Sequence, residues 1–225
     1  MTAPPPHPMN HHPSDLLTRR TSGVLLHITS LPGPHGSGDC GIGARHFVDW
    51  LASAGQSMWQ ILPLSPAGAG NSPYQSVSAF AGSPLMVDLD DLVQMGWLPW
   101  MPSQGFDHHR CDFTRVAPWR MACLRKAWDG FSQRASADCR DALADFCIEH
   151  AHWLDDYALF MVLSERHIGS WPQWPAPLAQ RDPAALDEVR QHSPKALGFW
   201  QFVQWRFWVQ WQSLRDYARS RGVQI

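Results

Sequence analysis

"GVLLHITSLPGPHGSGDCGIGARHFVDWLASAGQSMWQILPL", residues 23–64, decides the fold. Its opening, GVLLHI, is an apolar run without alternation, the pattern of a strand buried on both faces. Phe47, Trp50, Leu51 and Ala54 then recur at helical spacing, and Gly55 is placed to stop the helix. MWQILPL at 58–64 reads as a second buried strand. Strand, helix and strand in this order make a βαβ unit, and such units build parallel sheets.

The stretch after the second strand has a different character. NSPYQSVSAFAGSP (71–84) is rich in Ser, Pro and Gly, as are loops that cross a surface or line a pocket. PLMVDLDDLVQMGWL (84–98) mixes a short extended piece with helical turns, and residues 115–133 read as a helix. A longer helix starts at Ser136 as N-cap, with Asp138 in its first turn and Gly169 past its end. Its apolar positions include Leu143, Phe146, Trp153, Leu154, Tyr157, Phe160 and Met161. SWPQWPAPLAQRDP (170–183) carries too many prolines to continue a helix and reads as a loop. From 193 to 222 the signals are again helical, with Ser193 as N-cap, Pro194 at the first turn and Gly222 beyond the last. That helix is apolar nearly all round, so it belongs between other layers. The closing VQI begins another strand.

Composition narrows the class. At 225 residues with 44% hydrophobic and 17% charged content, the chain is globular. A net charge of −2 argues against a nucleic-acid footprint. Cysteines at 40, 111, 123, 139 and 147 are irregularly spaced and read as reduced thiols of a cytoplasmic protein. No run approaches the roughly 20 apolar residues that span a bilayer, so no membrane partner is expected. Residues 1–19 are Pro- and His-rich, without a signal-peptide core, and read as a disordered tail in which His11 and His12 are solvated. Thirteen tryptophans against three tyrosines supply many flat apolar faces, which suit sugar rings, although most should be core.

Several motifs carry less than they promise. Gly36, Gly38 and Gly41 match G-x-G-x-x-G between strand and helix. A dinucleotide site needs its first glycine at the strand end and an acid after the second strand, and neither is present. Cys147, His150 and His152 cluster in sequence, but the two histidines should point to different helix faces and no zinc-spaced fourth ligand follows. His108 and His109 near Cys111 are weaker still, and no G-x-S-x-G elbow occurs. Among carboxylates, Asp49, Asp155 and Asp156 read as helix-surface charges and Asp88 as a structural strand-end residue. Neither Asp39 nor the Asp90–Asp91 pair is marked as half of a glycosidase pair.

RTSGVLLHITSLPGPHGSGDCGIG (20–43), QSMWQILPLSPAGAGNSPYQSVSAFAGSPLMVDL (56–89), WLDDYALFMVL (153–163) and WPQWPAPL (171–178) together resemble the 4-α-glucanotransferases, or amylomaltases, across about 20–225. The resemblance implies an α/β fold, the N-terminal part of an amylase-type (β/α)8 barrel holding about its first two strands. A mostly helical insertion would fill about 90–190, within one catalytic-barrel unit over 20–225. It implies transfer of α-1,4-glucan segments between maltooligosaccharides through a covalent glycosyl-enzyme intermediate, with no metal or organic cofactor. Tyr74 maps to the family's subsite-lining tyrosine, Ser72 stands beside it as a polar contact, and Gln75 is a further binding candidate. An accessory aromatic that some relatives place before this loop is missing, since AGAGN carries only Ala69. The family's nucleophilic Asp, acid/base Glu and stabilising Asp have no counterpart in 1–225, so the catalytic residues are expected downstream of residue 225. The remaining C-terminal part of the barrel is then a required partner, and the isolated chain should be inactive and either poorly soluble or marked by a large exposed apolar patch. Two other readings are open: a non-catalytic or vestigial glucan-binding fragment, and an amylase-type glucan hydrolase.

Overall fold

β1 (Gly23–Leu25) and β2 (Met58–Gln60) pair in parallel, with Gly23 against Met58, Val24 against Trp59 and Leu25 against Gln60. The computed structural model describes residues 20–100, 104–107 and 109–225, so the tail 1–19 with His11 and His12, and also His108, lie outside the described residues. Both strands are shorter than their apolar runs. The first ends because Ile28–Ser30 tightens into a 3-10 turn. Along the second, Pro63 has no N–H to offer a ladder. Helix α1 (Ile42–Ser53) connects the strands, and Gly55 follows it at φ +69°. Trp59 is buried, and its indole N–H donates to the Leu26 carbonyl at 2.7 Å. VQI does reach the sheet: Gln224 pairs in parallel with Met58, and Trp59 N–H donates to Gln224 O at 2.8 Å.

The helical layer is larger than the sheet. It comprises α2 (Leu89–Gln94), α3 (Phe113–Arg134), α4 (Ala137–Arg166), α5 (Ala176–Ala179), α6 (Pro183–His192) and α7 (Pro194–Ser220). Asp88, Asp112, Ser136 and Asp182 cap α2, α3, α4 and α6 by accepting from backbone N–H groups of the first turn. Ser193 sits at the N-cap of α7, yet makes no capping bond; its hydroxyl accepts from Arg166 instead. The segment 170–183, read as loop, contains one 3-10 turn and the four residues of α5. Long helix α4 packs along α7, which also meets α1 and α3. Trp97, Phe131, Phe202 and Trp205 interlock at centroid distances of 4.9–6.2 Å, so much of the aromatic content is core.

A charged group lies inside this core. Arg120 of α3 is fully buried, and its Nη2 donates to Asp39 Oδ2 at 3.1 Å and to the Val87 carbonyl at 2.6 Å. Asp39 also accepts from Gly41 N–H at 3.1 Å, and Asp88 accepts from Asp90 N–H at 2.9 Å. The two carboxyls converge on Gly41, where a Cβ would lie 2.5 Å from Asp88 Oδ2 and 2.9 Å from Asp39 Oδ1. Burial raises both carboxyls; Arg120 opposes the rise at Asp39, whereas the Asp39 charge adds to it at Asp88, which is pushed up to about 7. Asp39 is therefore the carboxyl paired with Arg120, whereas burial and the Asp39 charge raise Asp88 without a cation among the causes to oppose them.

α7 also grips an extended segment. Gln204 Oε1 accepts from Gly82 N–H at 2.8 Å while its Nε2 donates to Gly82 O at 2.9 Å. Gln210 repeats the pattern at Asp88, with 2.7 and 3.1 Å, and its Nε2 also donates to Asp91 at 2.6 Å. These two amides do for residues 82–88 what a neighbouring strand would do.

Replacing Arg120 by Leu strands the Asp39 carboxylate in the interior, and should cost about 3–5 kcal/mol in equilibrium urea unfolding. Asp88 behaves differently. Its folded pKa of about 7 exceeds the reference 3.8, so the folded state binds the extra proton between those values. Stability should therefore fall as pH rises through that window and level off above it. Asp88→Asn keeps the capping acceptor and removes the charge. It should be near neutral at pH 4 and stabilise by up to about 4 kcal/mol at pH 8, read from urea midpoints at the two pH values.

Candidate functional site

The loop that leaves β2 is closed at its base. Ser83 N–H donates to the Leu64 carbonyl at 2.8 Å, so the chain enters and leaves at one point. Within it, Ala67 bridges Ser76 in antiparallel fashion and Gly68 N–H donates to Gln75 O at 2.6 Å. The turn between them bends through Gly70 at φ +79° and Asn71 at φ +56°, a region Gly and Asn enter at least cost. Serine hydroxyls then do the work of a ladder. Ser72 Oγ accepts from Tyr74 N–H at 3.3 Å, Ser76 Oγ from Ser78 N–H at 3.2 Å, and Ser78 Oγ from Phe80 and Ala81 N–H at 3.2 and 3.1 Å. Local hydroxyl-to-backbone bonds of this kind favour turns over regular structure, which is why the stretch is Ser-rich.

Tyr74 stands on this loop with 74% of its surface exposed. Gln75 beside it is exposed, and Ser72 is half-buried beneath the turn that orients Tyr74. The structure thus brings the three residues together on one turn at the end of the sheet where β2 finishes. Ser72, read from sequence as a contact beside the tyrosine, spends its oxygen on the Tyr74 backbone.

A cleft of about 620 Å³ opens beside the loop base, between residues 79–82, α4 and α7. Phe80 forms one wall, stacked on Trp153 at 6.2 Å, and Trp208, Trp211, His150 and His152 contribute others. His150 and His152, expected on different faces of the helix, both border this cleft, with ring centroids 6.5 Å apart. A second cleft, about 510 Å³, is lined by Asn71, Phe106, Asp107 and Arg110. Tyr74, Ser72 and Gln75 line neither cleft; they stand at the tip of the loop. Among the described residues, no group of three or more His, Cys, Asp and Glu is placed to hold a metal ion. Nor, among the described residues, is any helix long and apolar enough to cross a membrane.

At the same end of the sheet, His27 follows β1 in extended conformation, φ −71° and ψ 143°. Its ring is half-buried, its Nδ1 is buried without a hydrogen-bond partner among the described residues, and burial holds its pKa below the usual imidazole value. Sequence reasoning passed over this residue, because it sits inside an apolar run and forms no motif. Its place at a strand's C-terminal end was the available signal.

Comparison with known proteins agrees with this architecture. The family model described as 4-alpha-glucanotransferase matches residues 26–225. The 4-alpha-glucanotransferase of Thermus thermophilus is 44% identical over 207 residues, 92% of this chain and 41% of that protein. The chloroplastic/amyloplastic 4-alpha-glucanotransferase of Solanum tuberosum is 37% identical over 216 residues, 92% of this chain and 37% of its own. Among solved structures, amylomaltase from Streptococcus agalactiae in complex with acarbose superposes with a TM-score of 0.85 at 36% identity, over 92% of this chain and 42% of that one. Amylomaltase from Corynebacterium glutamicum, at 17% identity and a TM-score of 0.61 over 93% of this chain and 30% of its own, shares the fold. The chain spans less than half the length of these relatives. With its two parallel strands, its helical layer and a family match over nearly all the described residues, the chain belongs to the 4-alpha-glucanotransferase family.

Proposed function

We propose that these residues form the N-terminal part of a cytoplasmic 4-α-glucanotransferase, which moves α-1,4-glucan segments from one maltodextrin to another. In this reading β1, β2 and the strand begun at Gln224 open a (β/α)8 barrel, and the helices between 89 and 192 are an insertion above it. The remaining barrel strands supply the catalytic carboxylates, and Tyr74, Ser72 and Gln75 serve substrate binding. The observation that carries the reading is the position of Tyr74, exposed on a loop at the C-terminal end of β2, within a chain of this family. Barrels of this type assemble their sites from the loops at that end.

The chemistry follows the retaining pattern for glucans. A carboxylate attacks the anomeric carbon as the glycosidic C–O bond breaks, and a carboxylic acid gives its proton to the departing sugar oxygen. An acceptor hydroxyl then attacks the glycosyl-enzyme, returns its proton to that carboxylate and frees the nucleophile. Neither step calls for a metal or a redox group. The part of this chain is to hold the glucan. The Tyr74 ring offers a flat apolar face to a glucosyl unit, and its hydroxyl can exchange hydrogen bonds with sugar oxygens. Ser72 acts through the turn, fixing the backbone from which Tyr74 projects. The Streptococcus agalactiae amylomaltase, solved with acarbose, supports a ligand of sugar character.

Maltotriose separates the readings. Transfer gives glucose together with longer dextrins, hydrolysis gives glucose without them, and a glucan-binding fragment gives neither. In the intact protein carrying these residues, Tyr74→Ala should lower kcat/KM for maltotriose transfer by about 5- to 100-fold. Ser72→Ala should lower it by only about 2- to 5-fold, since one turn-forming bond is lost and the ring remains. Wild-type kinetics in Tyr74→Ala would remove the residue from the binding site.

A further inference from the structure

The cleft of about 620 Å³ beside the loop base lies on the side where the sheet goes on growing. β2 pairs with β1 along one edge and meets Gln224 along the other, where Trp59 N–H donates to Gln224 O at 2.8 Å and Gln224 N–H to Ser57 O at 3.0 Å. Parallel strands advance together. A strand that pairs Gln224 with Met58 therefore comes level with Ser65 about seven residues beyond Gln224. Pro63, Leu64 and Ser65 line the cleft. α7 points the same way. It meets α1 through Ser213, Tyr217 and Arg221, which bond Arg45 and Asp49, while Trp208 and Trp211 line the cleft from another flank.

We infer that this cleft seats the connection that leaves the third strand, and that apolar side chains of that connection fill it. The inference rests on the barrel reading above, in which the polypeptide continues past Ile225 as the remaining part of the barrel. The relatives leave room for such a part, since this chain spans 41% of the Thermus thermophilus protein. The walls select an apolar occupant. Among the described residues no Asp, Glu, Lys or Arg lines the cleft, whereas Phe80 is 67% exposed and Trp208 40% exposed, beside Trp153 and Trp211. A glucan needs polar partners for its hydroxyls, and the walls withhold them. The Gln204 amide is spent on both backbone groups of Gly82, and His150 Nε2 is buried. Covering Phe80 and the indoles takes an aromatic patch out of water, a gain of the kind that assembles cores. The consequence reaches the proposed site. Residues 80–82 are one leg of the loop that carries Tyr74, closed by Ser83 N–H on Leu64 O. A plug seated against that leg ties Tyr74 to the barrel strands that bring the carboxylates.

The test uses the intact protein carrying these residues, with the photo-crosslinker benzoylphenylalanine in place of Trp208. Irradiation should join it to the peptide lying about 5 to 15 residues beyond Ile225, mapped by mass spectrometry. Adducts confined to residues 1–225, or formed with a more distant segment, overturn the inference. Thiol labelling gives a second readout, with Phe80→Cys compared against Ile168→Cys, a position whose surface is 100% exposed. A maleimide should modify position 80 about 100-fold more slowly than position 168, with each site followed on its own peptide. Equal rates overturn the inference. So does protection of position 80 that appears only when maltoheptaose is added, which is the mark of a sugar site. Where the Trp208 variant does not fold, the Phe80→Cys rates decide alone. Neither readout depends on catalysis. Loss of the enzymatic reading shows instead as a wild-type protein without transfer from maltotriose, so the two failures are told apart.

Discussion

Arg120 is the constraint around which the N-terminal half is arranged. The guanidinium has no exposed surface, and its Nη2 donates to both Asp39 after β1 and the Val87 carbonyl before α2, while its Nε and Nη1 are buried without a hydrogen-bond partner among the described residues. Three pieces remote in sequence are thereby fixed to one another. The crowding passes outward from that point: Asp88 approaches Asp39 across Gly41, and at that glycine any side chain would collide with both carboxyls. Burial and the nearby Asp39 charge push the Asp88 carboxyl up to about 7, so the knot is governed by electrostatics as well as packing.

From this knot the order reaches the loop through α7. Gln210 holds Asp88 and Gln204 holds Gly82, each by both backbone groups, so the segment between them cannot slide along the helix. Ser83 then closes the loop base against Leu64. What stands above is built from turns, yet it stands on a fixed base, and its hydroxyls satisfy the backbone locally. Ser72 thereby fixes the backbone from which the exposed Tyr74 projects.

Local rules explain what could be read from the sequence. The parallel pair, α1, α4 and α7 announce themselves through apolar periodicity, Gly55, Ser136, Pro194 and the closing VQI. Strand length was not legible, because the apolar run 23–28 says nothing of the 3-10 turn that begins at Ile28. Ser193 shows the same limit, since tertiary contact with Arg166 took the hydroxyl that capping rules assign to the helix. The glycines of the apparent nucleotide motif have a steric explanation. A Cβ at Gly38 would lie 2.1 Å from Ile28 O, and one at Gly36 2.5 Å from Val116. The Asp39–Arg120 pair, 81 residues apart, leaves no trace in any window. For the site, the resemblance singled out Tyr74, Ser72 and Gln75, which no local pattern of charge or spacing marks.

The strand pair depends on the helices for its stability. Two strands of three residues each supply few backbone bonds, and an isolated pair of that size is marginal in water. Stability here comes from the helical side, where α4 lies along α7, Trp59 is buried, and the partly buried Leu26 and Val24 pack against the core. Leu25 and Gln60 of these strands are exposed and stand outside that packing, so Val24, Leu26, Trp59 and Ile61 are what tie the strand pair to the helices.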